Sequence, residues 1–196
     1  MPTIAITGGI ACGKTLAGSI LAEKGVAVYD TDDAAHAVMM PGNRAYECVI
    51  REFGDGILGS DGFIDRKILG EKVFAEGEAL RRLNDIVHPE VKKLWKEWLK
   101  NTERETQTAA VIVPLLYECG EGTGWDAVIC VSAVRETQIE RLMARGLSRE
   151  QCGKRIESQL DLEKKSALAD HVLSNDGTVE SLKEQTERVL ANILEK

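Results

Sequence analysis

Residues 3–15 read Thr-Ile-Ala-Ile-Thr-Gly-Gly-Ile-Ala-Cys-Gly-Lys-Thr. Within them Gly8, Gly13, Lys14 and Thr15 fit the spacing Gly-x-x-x-x-Gly-Lys-Ser/Thr. Glycines let a backbone curl so that successive N–H groups point into one concavity, which suits a polyphosphate. In that arrangement Lys14 reaches the β- and γ-phosphates, and the Thr15 hydroxyl completes a Mg²⁺ shell. The loop backbone, Gly8 and Gly9 through Ala11, Cys12 and Gly13 to Leu16, would line the same phosphates. Thr3 to Thr7 is β-branched and apolar, whereas Leu16, Ala17, Ile20 and Leu21 recur at helical spacing. Strand, loop and helix therefore stand in the order a phosphate loop needs, with a helix N-terminus favouring an anion. A nucleoside triphosphate is the expected ligand.

Two further groups could act on it. Val26 to Tyr29 is a short apolar run ending in Asp30-Thr31-Asp32-Asp33. Carboxylates at the carboxyl end of a strand beside a phosphate loop lie where α/β sheets hold ligands. One Asp would cap the next helix; three acids in four residues exceed that need, so at least one is expected to be functional. The second group is Arg141 and Arg145, four apart and so on one helix face. Residues 135–165 hold eight basic and six acidic side chains in a chain of net charge −7. Most belong on a solvated helical hairpin. Arg141 and Arg145 fit a lid, where guanidinium groups hold charge on a moving phosphoryl and exclude water. Cys12, beside Lys14 and a helix N-terminus, is either a thiol of lowered pKa or an inert small residue, depending on its exposure.

The elements that must position these groups alternate between strand and helix. The first helix covers Lys14–Lys24 and stops at Gly25; Val26–Tyr29 is the second strand, and a helix continues through Ala34, Ala35, Val38 and Met39. Pro41-Gly42 breaks the pattern. Residues 43–104 then carry helical stripes, among them Leu80, Leu83, Ile86 and Val87 before His88-Pro89, and a further one in Val91, Leu94, Trp95, Trp98 and Leu99. Trp95 and Trp98 at that spacing read as core. This helical insertion is expected to carry a second substrate, and the polar residues 101–108 end it. Ala109–Val113, Ala127–Val131 and His171–Ser174 are apolar runs of the buried parallel-strand type. Ile112 and Val113 stand where a phosphate-loop enzyme often keeps an acid for Mg²⁺. The metal then relies on Thr15, waters and an acid of the 30–33 cluster, with Asp32 as the candidate. Ser148-Arg-Glu-Gln151 is a capping box opening a helix that carries Arg149, Lys154, Arg155 and Gln159. Val179, Leu182, Val189, Leu190 and Ile193 form a closing amphipathic helix. The fold class is α/β: a P-loop NTPase-type parallel sheet flanked by helices, with a helical substrate-binding insertion and a helical lid.

The 196 residues suit one compact domain with insertions. The acidic balance argues against a nucleic-acid partner, although a local cationic cluster still serves a small anion. No apolar run is long enough for a membrane span, and the chain enters its first strand too early for a secretory signal. Cys12, Cys48, Cys119, Cys130 and Cys152 lack C-x-x-C spacing; free thiols in a reducing cytoplasm fit them, and a structural zinc site does not.

Over nearly its whole length the chain resembles the dephospho-CoA kinase family. The resemblance rests on Thr7-Gly8-Gly9-Ile10, Asp30-x-Asp32, Pro41-Gly42, Phe53-Gly54, Asp61-Gly62 with Arg66, and Leu83-Asn84 leading to His88-Pro89. It continues in Val113-Pro114-Leu115-Leu116-x-Glu118, Gln138-x-x-Arg141, Gln159, Ala169-Asp170 and Asn175-x-Gly177. It implies transfer of the ATP γ-phosphate to the ribose 3′-hydroxyl of 3′-dephospho-CoA. It also implies a P-loop core over 1–35, 105–136 and 166–196, a helical CoA-substrate domain over 36–104, and a lid over 137–165. By the same resemblance Asp32 is the general base and Asp30 helps to place the ribose or the metal. Arg141 reaches the phosphates from the lid, with Arg145 and Asn175 on the nucleotide side. His36, Arg66 and His88 fall on the acceptor side. Where the family usually has Gly-Ser-Gly-Lys-Ser-Thr, this chain has Ala11-Cys12-Gly13-Lys14-Thr15-Leu16. Thr15 can replace the metal-binding serine, whereas Leu16 lacks the hydroxyl that often supports the α-phosphate. Gly146 replaces an acid common after the second lid arginine. Another small-molecule kinase and a catalytically degenerate nucleotide sensor are the alternatives.

Overall fold

Five strands, β1 (Thr3–Gly8), β2 (Ala27–Asp30), β3 (Ala109–Ile112), β4 (Ala127–Ser132) and β5 (His171–Ser174), form one sheet in the order β2-β3-β1-β4-β5. All pairings are parallel, with β1 central: Ile6 pairs with Ile112 of β3 and Ile129 of β4. This is a computed structural model, and it describes residues 1–75, 77–103 and 106–195. The helices are α1 (Lys14–Glu23), α2 (Thr31–Val38), α3 (Arg44–Phe53), α4 (Arg66–Ala75), α5 (Gly77–Thr102), α6 (Arg135–Met143), α7 (Arg149–Glu157), α8 (Leu162–Leu168) and α9 (Val179–Leu194), with a 3-10 turn at Asp55–Ile57.

The chain divides into two compact units, Met1–Asp30 with Leu99–Lys196, and Thr31–Trp98. In the first, β1, β3 and β4 are buried on both faces, as continuous apolar runs in a covered parallel sheet must be. Ile4, Ile6, Ile112, Ile129, Val131 and Leu173 form the core with Ile20 and Leu21 of α1 and Leu182, Leu190 and Ile193 of α9. Burying an aliphatic side chain of this size contributes about 1.5–3 kcal/mol, so this layer holds the strand ends on which the site is built. The stretch 137–165 expected as a lid lies in this unit.

In the second unit Val49, Phe53, Ile57, Leu69, Val73, Val87, Val91 and Trp95 are buried. Lys72 Nζ donates to Phe53 O at 2.6 Å, and Arg82 pairs with Glu52 at 2.6 Å. Trp95 is core, as its spacing predicts, whereas Trp98, expected there too, is half-buried. The two helical stripes on either side of His88-Pro89 belong to one helix: α5 runs continuously through Pro89. A proline removes one bond to the residue four back and crowds that carbonyl, at a cost of about 3 kcal/mol. Buried Val87 and Val91 on one face and Trp95 a turn further on offset it.

Two other boundaries differ from expectation. The helix opened by the capping box ends at Glu157, short of Gln159, and a separate helix α8 follows, capped by Asp161 through Glu163 N and Lys164 N. The capping box itself is present, with Gln151 N donating to Ser148 Oγ and Ser148 N to Gln151 Oε1. Residues 104 and 105, where the expected insertion gives way to the core, lie outside the described residues.

Candidate active site

β1 ends at Gly8 and α1 begins at Lys14, so residues 9–13 make a tight connection on the carboxyl edge of the central strand. Gly8 has φ 140°, and a Cβ there would stand 2.1 Å from Val131 O, on the residue that pairs with it in β4. Gly13 has φ 99° and holds the N-cap of α1, where a Cβ would stand 2.1 Å from Asn175 Nδ2. A side chain at either position would collide with the frame of the loop.

Other elements hold the loop's carbonyls. Gln138 Nε2 on α6 donates to Ile10 O at 2.7 Å, and Arg141 Nη1, one turn on, donates to Ala11 O at 3.1 Å. Asn175 Nδ2, just after β5, donates to Cys12 O at 2.8 Å, while Asn175 O accepts from Arg141 Nη2 at 2.8 Å. The N–H and C=O of one peptide point in opposite directions, so these contacts turn the amides of Ala11, Cys12 and Gly13 away from the gripping side chains. Cys12 N closes a turn on Gly9 O at 3.3 Å, which leaves the Ala11 and Gly13 amides as the freer donors. With the N-terminus of α1, which no side chain caps, this makes a concave set of donors for an anion. Lys14 Nζ donates to Gly8 O at 3.3 Å and Gly9 O at 2.9 Å, within the same curl. The Thr15 side chain is exposed in the first turn of α1.

The remaining expected residues lie as follows. Leu16 is partly buried against the main core. Arg141 has its guanidinium on the two carbonyls just named, and Arg145 is exposed in the turn after α6. Asp30 is the last residue of β2, and Asp32 and Asp33 occupy the first turn of α2, where acids complement the helix dipole. Asp32, His36 and Arg66 are exposed, and His88 is half-buried on α5. Asp30 closes the first unit; Asp32, His36, Arg66 and His88 belong to the second.

Cys12 departs from the reactive-thiol expectation. It is fully buried, and burial pushes its pKa up by more than Lys14 lowers it. The thiol is an inert core group in this state. Ala11 is unusual in another way: it adopts a left-handed φ of 59°, which costs a non-glycine residue about 1–2 kcal/mol. Its methyl group packs with Ile139, Leu142 and Cys152, which offsets part of that strain.

Three contributors are not singled out by spacing. Gln159 Oε1 accepts from Ile10 N at 2.9 Å. Lys165 is fully buried, with Nζ 2.7 Å from Glu118 Oε1 and donating to Pro114 O at 2.8 Å. Glu118 Oε1 also accepts from Leu160 N at 2.9 Å. Gln159 and Glu118 belong to the motifs of the resemblance, but Asp161-Leu-Glu-Lys-Lys165 reads as solvated helix and carries no sign of burial.

A cradle of backbone amides between a central parallel strand and a helix, with a lysine curled over it, defines a P-loop phosphotransferase fold of the small-molecule kinase type. The family model for dephospho-CoA kinase matches residues 2–181. A dephospho-CoA kinase from Carboxydothermus hydrogenoformans is 42% identical over 192 residues, covering 97% of this chain and 93% of that protein. Among solved structures, TT1252 from Thermus thermophilus matches with a TM-score of 0.80 and 34% identity over 97% of both chains. A dephospho-CoA kinase from Campylobacter jejuni matches with a TM-score of 0.68 and 28% identity, covering 97% of this chain and 96% of that one. This chain belongs to the dephospho-CoA kinase family.

Proposed function

We propose that this protein transfers the γ-phosphoryl group of ATP to the 3′-hydroxyl of the ribose of 3′-dephospho-CoA, giving CoA and ADP. The observation that carries the reading is the loop itself. Its carbonyls are held by Gln138, Arg141 and Asn175, so its amides are preorganised for phosphates before any ligand arrives. Preorganised donors need no reorganisation when charge develops, which is how phosphoryl-transfer sites gain most of their rate.

In the reaction the acceptor oxygen forms a bond to the γ-phosphorus as the bond from that phosphorus to the β,γ-bridging oxygen breaks. Lys14 exchanges the Gly8 and Gly9 carbonyls for phosphate oxygens, a short swing of a flexible ammonium. Asp32 accepts the hydroxyl proton, and Asp30 orients the ribose. Arg141 adds its charge beside the loop while keeping Ala11 and Asn175 in place. Arg145 and Asn175 stand on the nucleotide side, and His36, Arg66 and His88 on the acceptor side. The segment 137–165 acts as the lid. The exposed Thr15 hydroxyl at the head of α1 is a hard oxygen donor of the kind Mg²⁺ takes, one or two to a site with water for the rest. Bound there, Mg²⁺ would neutralise charge on the β- and γ-phosphates.

Among the described residues no disulfide joins any of the five cysteines, which supports a reducing cytoplasm as the working compartment. Among the described residues no helix is long and apolar enough to cross a membrane. The test is a coupled ADP-release assay with ATP, Mg²⁺ and dephospho-CoA, run beside AMP, adenosine and shikimate. Turnover with dephospho-CoA alone is expected. Turnover with another acceptor, or tight ATP binding with none, would overturn the reading.

A further inference from the structure

Ile10 is held at both of its peptide bonds by glutamine side chains. Its N–H, part of the Gly9–Ile10 peptide, donates to Gln159 Oε1 at 2.9 Å. Its carbonyl, part of the Ile10–Ala11 peptide, accepts from Gln138 Nε2 at 2.7 Å. Gripping both peptide planes fixes φ and ψ of Ile10, and the second plane carries the Ala11 N–H of the phosphate cradle. The polarity of the peptides also fixes which way each amide faces: Ile10 N–H needs an oxygen, and Ile10 O needs a donor.

The two glutamines stand at the two roots of one hairpin. Gln138 is in α6, on the way into residues 139–158, and Gln159 follows the last turn of α7 on the way out. Arg135 and Glu157 pair across these roots at 2.7 Å, and Arg149 reaches back to Glu136 at 3.0 Å. Just past Gln159, Leu160 N is tied to Glu118 Oε1 at 2.9 Å. Gln138 is itself only 3% exposed. Gln138, Gln159 and Gly9 also border a cavity of about 890 Å³.

We propose that Gln138 and Gln159 are positioning residues that couple the 139–158 hairpin to the phosphate loop through the Ile10 peptides. Neither touches the reacting atoms. Each sets the direction of a loop amide, and a movement of the hairpin roots re-aims both. By linkage, ATP bound in the cradle holds the hairpin roots in place as strongly as the roots hold the cradle. The proposal rests on the reading of the loop as the ATP site.

The test combines ATP titration with amide hydrogen exchange on wild type, Gln138→Leu, Gln159→Leu, the double variant, and Gln159→Glu. Losing one of these partly buried hydrogen bonds is expected to raise the ATP Kd by about five- to tenfold. The double variant should bind little worse than the weaker single, because one loosened plane already frees Ile10. Without nucleotide, the Ile10 amide should exchange faster in Gln159→Leu and stay protected in Gln159→Glu, which keeps the acceptor. ATP should slow exchange across the hairpin in wild type and not in the double variant. A purely structural role would lower Tm in the leucine variants and leave the ATP Kd of the folded protein unchanged, which overturns the coupling. Ile10 exchange equal in wild type and Gln159→Leu overturns it too. A wild type that binds no ATP would overturn the ATP reading itself, and the coupling with it.

Discussion

Lys165 offers a stability experiment whose size can be worked out from its contacts. The side chain is fully buried, with Nζ 2.7 Å from Glu118 Oε1 and 2.8 Å from Pro114 O. Lys165→Met keeps most of the apolar stem and removes the charge. Left behind are a carboxylate whose side chain is 22% exposed, still accepting from Leu160 N, and a Pro114 carbonyl that Thr7 Oγ1 approaches at 3.4 Å. Removing one member of a buried pair costs about 3–5 kcal/mol, and the partial hydration of Glu118 puts this case near the lower end. Glu118→Gln, which strands the ammonium instead, should cost a similar amount. The double variant removes both charges, and the carboxamide oxygen introduced by Glu118→Gln still accepts from Leu160 N, so the loss should shrink to about 1 kcal/mol. For a chain of this size 1 kcal/mol moves Tm by roughly 2–4 °C. Each single variant should therefore melt roughly 6–12 °C lower and the double only a few degrees lower. Urea midpoints and thermal melts of all four proteins measure it. A double variant whose loss equals the sum of the singles would refute the ion pair as the reason for burying this lysine.

Other outcomes follow from the same geometry. Asp32→Asn should lower kcat by at least about 10²-fold while leaving the ATP Kd nearly unchanged; loss of ATP binding by titration would show that Asp32 builds the site instead of taking the proton. Gly13→Ala should cost about 2 kcal/mol or more in urea unfolding, because φ is 99° and the methyl group meets Asn175 Nδ2. It should also weaken ATP binding by pushing Asn175 off Cys12 O. Alkylation of the native protein near neutral pH should modify the half-buried Cys48 and Cys119 before Cys12, read by peptide mass. Burial raises the pKa of both Cys12 and Cys130. The folded chain therefore keeps thiol protons that the unfolded chain gives up, and stability should fall as pH rises through the ordinary thiol range near pH 9. A urea midpoint unchanged between about pH 7 and pH 10 would contradict this.

Local chemistry is readable without a structure. The strand, loop and helix at 3–23, the strands at 109–112, 127–132 and 171–174, and the capping box at Ser148 all appear close to their expected bounds. Each is decided by a few adjacent residues: β-branched runs, glycine spacing, one serine three residues before one glutamine. The recognisable half of the site, Gly8 to Thr15, is likewise contiguous.

Tertiary structure decided the rest, because the deciding contacts join residues distant in the chain. Pro89 is an interior residue of α5 because Val87 and Val91 flank it in the core and Trp95 packs further along. No propensity at His88-Pro89 reports that burial. Cys12 stands where Lys14 could activate it, yet the packing around it excludes the water its thiolate would need. Arg141 and Arg145 share a spacing and differ in place, one on the carbonyls of Ala11 and Asn175 and the other in solvent. The pairs that shape the loop, Ile10 with Gln138 and Gln159, Cys12 with Asn175, and Glu118 with Lys165, exist only once the sheet has brought those segments together. The sequence by itself determined the phosphate cradle and the strands that carry it. Only the folded chain determined what holds the cradle open, since long-range hydrogen bonds and burial leave no periodic mark on the residues that make them.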